Sequence, residues 1–289
     1  MAPGRVLRTV RSKRSAADVL NPVTVSNMRC LAVVNQKGGV GKTTVAVNLA
    51  SALAEAGRRV LVVDLDPQGH ATEGLGLGDR YDSDGPATLA GALLGRWAGN
   101  LMELVTATAT GVDLIPANVE QFVVESQLVS VRGREHRLAR LLEPLAGRYD
   151  WVLIDCPPSL GALTDNAVVA AGKVLVVAQP QDSSLRALEL LLDQVQSIRS
   201  GLRVDVQVVG IVLNLWEETL VAKRTMTALS QLPVPVIGVV RRRTRLQEAW
   251  AQGRSILSLE PRSDVAQVFR DMAVAIEHRE AGELVGAQP

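Results

Sequence analysis

Lys37-Gly38-Gly39-Val40-Gly41-Lys42-Thr43-Thr44 put three glycines, two lysines and two hydroxyls into eight positions. Residues of these types, so spaced, can bind phosphate. Glycines let successive backbone N–H groups turn inward toward phosphate oxygens, and a helix N-terminus behind them adds partial positive charge. Lys42 then reaches the β- and γ-phosphates, and the Thr43 hydroxyl can ligate Mg²⁺. A strict phosphate loop needs a glycine five positions before Gly41, where Gln36 stands. The loop is therefore a variant, and its peculiarity is the second lysine, Lys37, at its mouth. A dinucleotide fingerprint fails on spacing, because the third glycine of G-x-G-x-x-G would fall on Thr44. The stretch is expected to bind a nucleoside triphosphate, with Gly38, Gly39, Val40, Gly41, Lys42, Thr43 and Thr44 around the phosphates.

Carboxylates follow in places that suit the same chemistry. Val60-Leu-Val-Val-Asp64-Leu-Asp66-Pro-Gln68 ends an apolar run in two aspartates, and strand alternation would set Asp64 and Asp66 on one side, toward Mg²⁺ and the γ-phosphate. Trp151-Val-Leu-Ile-Asp155 ends a second run in the acidic residue that holds Mg²⁺ or its waters in phosphate-loop enzymes. Taken singly, each aspartate could instead cap a following helix. Asn214, closing the run Val208–Leu213, could pair with the adenine edge or form a turn. Arg241, Arg242, Arg243 and Arg245 make a dense positive edge, read either as a solvated loop or as a surface for DNA phosphates.

These side chains need a scaffold, and the hydropathy pattern supplies one. Strand-like runs cover Cys30–Asn35, Arg59–Asp64, Val112–Pro116, Asp150–Asp155, Val174–Gln179, Val206–Asn214 and Val234–Val240. Several are continuous Val/Leu/Ile stretches, as in strands covered on both faces of a parallel sheet. Helical patterns lie between or after them at Thr43–Ala56, Glu135–Leu145, Leu160–Ala171, Ser184–Ser200, Leu220–Leu232 and Ser263–Glu277. The alternation predicts an α/β fold with a doubly wound, mostly parallel sheet and ligands at the strands' carboxyl ends. Gly69 to Asn100 reads as loop with a short helix around Thr88–Gly95.

Composition narrows the classes. A chain of 289 residues can bury one large α/β core. Lys and Arg (31) balance Asp and Glu (30), so a nucleic-acid surface must be a local patch. Cys30 and Cys156 sit in apolar runs and form no metal pattern, which points to a reduced, cytoplasmic protein without disulfides. No apolar run reaches the roughly 18 residues of a membrane span. Met1–Asn27 carries five basic residues and no signal-peptide core, and is expected to be a flexible extension, either merely solvated or touching DNA phosphate.

Asn35-Gln-Lys-Gly-Gly-Val-Gly-Lys-Thr-Thr44, Val62-Val-Asp-Leu-Asp-Pro-Gln-Gly69, Leu114-Ile-Pro-Ala-Asn118 and Ile154-Asp-Cys-Pro-Pro-Ser-Leu-Gly161 together resemble the ParA/MinD family of deviant-Walker P-loop ATPases, and within it the small ParA-type partition proteins. Weaker similarity continues through Arg245-Leu-Gln-Glu-Ala249, so the likeness spans about Met28 to Glu277. It implies an ATPase domain over residues 28–279, between the extension 1–27 and a flexible tail 280–289. It also implies ATP and Mg²⁺ as cofactors and an ATP-sandwiched homodimer in which Lys37 touches the partner's phosphates. Asp66 would position the attacking water, with Asp64 and Asp155 serving the magnesium site. Non-specific binding to double-stranded DNA over the nucleoid, and a ParB-type centromere-binding partner that stimulates hydrolysis, complete the implied cycle. The chain departs from the family pattern at Arg241 and Trp250, where prolines are usual.

Other classes fit less of the chain. A membrane-targeting MinD-type regulator needs a basic amphipathic C-terminal helix, and Ala281–Pro289 is acidic and short. An iron–sulfur scaffold ATPase needs paired cysteines. A dethiobiotin-synthetase-like ligase would not require Lys37 together with Asp66-Pro-Gln. Positioning of another cargo, such as a protein cluster, would use the same ATPase chemistry.

Overall fold

The computed structural model describes residues 28–82, 85–181 and 183–280. The basic extension expected over 1–27 and the tail from 281 lie outside the described residues. Strands β1 (Arg29–Val34), β2 (Val60–Asp64), β3 (Thr106–Ala107), β4 (Asp113–Ile115), β5 (Trp151–Asp155), β6 (Lys173–Ala178), β7 (Gln207–Trp216) and β8 (Val236–Arg241) form one sheet. Its order is β3-β4-β2-β5-β1-β6-β7-β8. All pairings are parallel except β3 with β4. From β1 the chain moves first to one side of the sheet and later to the other, which opens a crevice at the carboxyl ends of the central strands.

The apolar runs are continuous because both faces of the sheet are covered. Along β1, Leu31 and Val33 enter one core while Ala32 and Val34 enter the other, as a side-chain period of two requires. The first core is closed by α1 (Lys42–Glu55), through Val45, Leu49 and Leu53, and by α11 (Asp264–Glu280), through Phe269 and Met272. The short helices α2 (His70–Gly74), α9 (Thr244–Ala251) and α10 (Ile256–Leu259) complete that layer. The opposite layer holds α3 (Leu89–Leu94), α4 (Gln121–Leu128), α5 (Arg137–Leu142), α6 (Ala162–Ala171), α7 (Ser183–Leu202) and α8 (Leu220–Leu229).

Two expectations are corrected, and α4 is among the elements not anticipated. The helix read over Glu135–Leu145 is α-helical only at Arg137–Leu142, with 3₁₀ turns on both sides, and Pro144 occupies the second of them. α4 had no prediction: its apolar residues do not form one stripe, since Phe122 and Val123 face outward while Val124 and Leu128 are buried. The arginine edge is not one loop, because α9 starts at Thr244 and carries Arg245. By contrast, the short helix expected around Thr88–Gly95 is α3, with the Thr88 side chain accepting from Gly91 N and Gly95 closing it in a left-handed conformation.

Candidate nucleotide site

The chain leaves β1 at Asn35, whose amide nitrogen donates to Val177 O on β6 at 2.6 Å while its oxygen accepts from Lys37 N at 2.8 Å. Two further side chains hold the glycine loop by its carbonyls. Gln179 donates to Gly39 O and Asn214 to Val40 O, each at 2.8 Å. In a trans peptide the C=O and the next N–H point oppositely, so tying these carbonyls down aims the N–H groups of Val40 and Gly41 the other way. Gly41 then caps α1 in a left-handed conformation, with φ 86°. A Cβ at Gly41 would lie 2.0 Å from the Asn214 amide nitrogen, so close approach as well as φ demands glycine here. Asn214, read as an adenine contact or a turn residue, thus braces the loop with its nitrogen, and its buried Oδ1 has no partner. Beside it, Leu215 takes a positive φ of 57° and the pairing of β7 with β8 shifts register.

At the head of α1, Lys42 is buried and Thr43 Oγ1 donates to Asp155 Oδ2 at 2.7 Å. The second oxygen, Asp155 Oδ1, is buried without a partner. Burial holds the Asp155 carboxyl well above the usual carboxylate range, the negative charge of Asp64 adds to that, and the Thr43 hydroxyl and Lys42 oppose it. Asp64 is raised to about 7, again chiefly by burial, against hydrogen bonds from Thr72. Two fully buried carboxylates at paired positions of neighbouring strands, one of them with an unpaired oxygen, fit a divalent cation. Among the described residues there is no cluster of three or more His, Cys, Asp or Glu of metal-holding geometry. Mg²⁺ does not require one, since it keeps waters and takes its other ligands from phosphates.

Asp66 is not placed by strand alternation, because β2 stops at Asp64. An Asx-type turn places it: Asp66 N donates to Asp64 Oδ1 at 3.3 Å, and Asp66 Oδ1 accepts from Gln68 N at 2.9 Å. Asp64 Oδ2 is committed to Thr72, accepting from its N–H and its hydroxyl at 2.7 Å each. The Thr72 hydroxyl accepts from Ala117 N at 2.9 Å, and Gln121 Nε2 donates to Asp64 O at 3.1 Å. The end of β2 is therefore tied to the end of β4 and to the start of α4. Tyr81 steadies the turn by donating to Pro67 O at 2.7 Å, its ring filling the space a Cβ on Gly69 would need.

Trp250, the departure from a usual proline, lies over α2: its indole N–H donates to His70 O at 3.0 Å and its ring occupies the space beside Gly74. The arginine edge is real but neutralised. Arg241 pairs with Glu218 at 3.4 Å, Arg242 with Glu217 at 2.6 Å, Arg243 with Asp264 at 2.7 Å, and Arg245 with Glu248 and Glu260. All these pairs are solvent-accessible. Lys37 stands apart from Lys42: half-buried, with its ammonium donating to Gln181 Oε1 at 2.5 Å.

The structure thus gathers Lys37, Lys42, Thr43, Asp64, Asp66, Asp155 and Asn214 around one loop. Sequence reading missed Asn35, Thr72, Gln121, Gln179 and Gln181. Asn35 and Gln179 stood at the ends of predicted strands, where polar residues reach a ligand crevice, but Thr72 and Gln121 carry no short-range signal.

A family profile described as "AAA domain" matches residues 28–208. The sporulation initiation inhibitor protein Soj of Bacillus subtilis (strain 168) is 36% identical over 259 residues, covering 85% of this chain and 96% of that protein. The chromosome partitioning protein ParA of Caulobacter vibrioides (strain NA1000 / CB15N) is 35% identical over 265 residues, covering 89% of this chain and 97% of its own. A crystal structure titled cobyrinic acid a,c-diamide synthase from Mycobacterium smegmatis, with bound ADP and magnesium, superposes with a TM-score of 0.76. It is 32% identical and covers 91% of this chain and 99% of that one. With the profile spanning most of the sheet and Soj aligned over nearly its whole length, the chain belongs to the ParA/MinD family of P-loop ATPases.

Proposed function

We propose that this ATPase is a DNA-partition protein: it binds ATP with Mg²⁺, dimerises on ATP, binds duplex DNA without reading its sequence, and hydrolyses ATP under stimulation by a ParB-type partner, so moving a plasmid or a chromosome over the nucleoid. The observation that carries this reading is the division between its two lysines. Lys42 is buried at the head of α1, where its own nucleotide's phosphates belong. Lys37 points to Gln181 and has no carboxylate partner among the described residues, leaving its charge for a second copy's phosphates. Val119, Phe122 and Val123, at and beside the start of α4, are 51%, 52% and 41% exposed, and Gln121 ties that helix to the Asp64 strand end. An apolar patch so close to the site suits burial against a second copy.

In the proposed cycle Lys42 and the loop N–H groups hold the β- and γ-phosphates. Thr43 and Asp155, with Asp64 behind them, would hold Mg²⁺, which when bound offsets phosphate charge. Asp66 orients a water toward the γ-phosphorus; the new P–O bond forms as the bridging oxygen leaves on ADP. Lys37→Ala is expected to bind ATP yet neither dimerise nor hydrolyse it efficiently. Sedimentation showing a normal ATP-dependent dimer would refute the trans role.

DNA binding in this reading uses Arg241, Arg242, Arg243 and Arg245. Their carboxylate partners are exposed, and exposed ion pairs contribute little, so phosphate can replace them while counterions are released. One chain offers few such contacts; two arginine edges in an ATP dimer double them, making binding ATP-dependent. Unrelated duplexes should bind alike, with affinity falling steeply between about 50 and 200 mM salt. Arg242→Glu with Arg245→Glu should remove this binding and spare basal ATP hydrolysis. If that variant binds normally while deletion of residues 1–27 abolishes binding, the extension is the DNA surface instead.

Likeness to the Mycobacterium smegmatis protein named cobyrinic acid a,c-diamide synthase motivates a second reading, ATP-driven amidation of a carboxylic acid. If the amine came from glutamine by a cysteine nucleophile, an accessible thiol would be needed. This chain has two cysteines, and burial raises both thiols' pKa, Cys30 to about 12. ATP turnover stimulated by DNA plus a centromere-binding protein, with no acid acceptor present, separates the two.

A further inference from the structure

Lys37 is held at both ends. Its backbone N–H is fixed by Asn35, and its ammonium by Gln181 on the segment after β6. Gln181 is itself well placed: its N–H donates to Gln179 O and its carbonyl accepts from Ser184 N, each at 2.9 Å. Gln179, two residues earlier, holds Gly39 O. The exit from β6 therefore grips the phosphate loop at one point and the lysine at another.

The acceptor on the lysine is a neutral amide oxygen, and that choice has a consequence. A carboxylate there would add a full negative charge opposite the ammonium, turning the hydrogen bond into an ion pair that competes with phosphate. A neutral acceptor keeps the charge extended and close to its own loop, yet yields to a doubly charged phosphate.

We infer that Gln181 is a positioning residue that holds Lys37 in cis, and that ATP-driven dimerisation exchanges the Gln181 amide oxygen for the partner's phosphate oxygens. This rests on Lys37 acting in trans. The exchange sets the dimer's dissociation constant without touching the nucleotide affinity of the single chain. Gln181→Ala loses the cis bond and should tighten the dimer by about 3- to 10-fold, the net scale of one ordinary hydrogen bond, since water screens the lysine's charge at this exposed site. Gln181→Glu keeps the reach and adds charge, so it should weaken the dimer about 10-fold at low salt, and less as salt screens the pair.

The measurement is sedimentation of the full chain with Mg²⁺ and a non-hydrolysable ATP analogue, with analogue affinity of each variant measured at protein concentrations below dimerisation. Opposite shifts for Ala and Glu, at unchanged analogue affinity, are the expected result. A looser dimer for Gln181→Ala would make Gln181 a part of the dimer contact and overturn the cis role. Unchanged dimerisation of both variants would overturn it too. Lys37→Ala run alongside keeps the two failures apart: if that protein dimerises normally, the trans reading of Lys37 has failed; if it does not dimerise and the Gln181 variants behave as wild type, only the cis role has failed.

Discussion

Lys42→Ala is expected to lose tight ATP binding while keeping its fold. The side chain is buried at the first position of α1, where alanine is the best helix former, so secondary structure should survive the change. What disappears is the cation facing phosphates in a site poorly screened by water. Truncating one partner of a buried, hydrogen-bonded charge pair typically costs about 2–5 kcal/mol, or roughly 30- to 4,000-fold in affinity. The buried carboxylates nearby deepen the loss. Asp64, Asp66 and Asp155 all lie in the same pocket of charge, and Lys42 is one of the groups opposing the upward pull on Asp155. Without it, incoming phosphates meet those carboxylates with less compensation. Calorimetry shows the outcome directly, and micromolar ATP affinity surviving in Lys42→Ala would remove the nucleotide-site assignment.

Asp66→Ala should separate binding from chemistry. Asp66 lies beyond the end of β2 in a turn held by Asp64, Gln68 and Tyr81, and only its Oδ1 is engaged by that turn. Nothing that holds the phosphate loop passes through it. Nucleotide affinity should therefore stay within a few-fold of wild type, while hydrolysis slows by about 10²-fold or more, the loss expected for a group positioned to orient water or take its proton. The variant should accumulate as an ATP-bound dimer. Turnover at the wild-type rate would assign the water to another residue, and Asp64 is a poor substitute because Thr72 occupies its Oδ2 twice.

Much of the architecture was legible because its causes are local. Continuous apolar runs between helical patterns mark strands covered on both faces, and β1, β2, β5 and β6 lie within a residue of the runs that announced them. Gly41 at φ 86° and Lys42 opening α1 are what the glycine–lysine spacing required. α4 was illegible for a local reason as well: an exposed Phe122 beside a buried Val124 blurs the helical stripe that identifies an amphipathic helix.

The sequence by itself determined the phosphate loop, the aspartates that end β2 and β5, and the family, because each depends on residue types at fixed short spacings. Only the tertiary structure decided what holds them. Asn214 reaches Val40 across 174 positions, Gln181 reaches Lys37 across 144, and Gln121 reaches the Asp64 carbonyl across 57. Those partners meet because strand order brings β6 and β7 to one side of β1, and β4 beside β2. The tertiary structure also decided the charge of the arginine edge. Four arginines within five residues read as a positive surface, but β7's exit, α9, the end of α10 and the start of α11 bring a carboxylate to each. A charge count along the chain cannot see them, since ion pairs form across space.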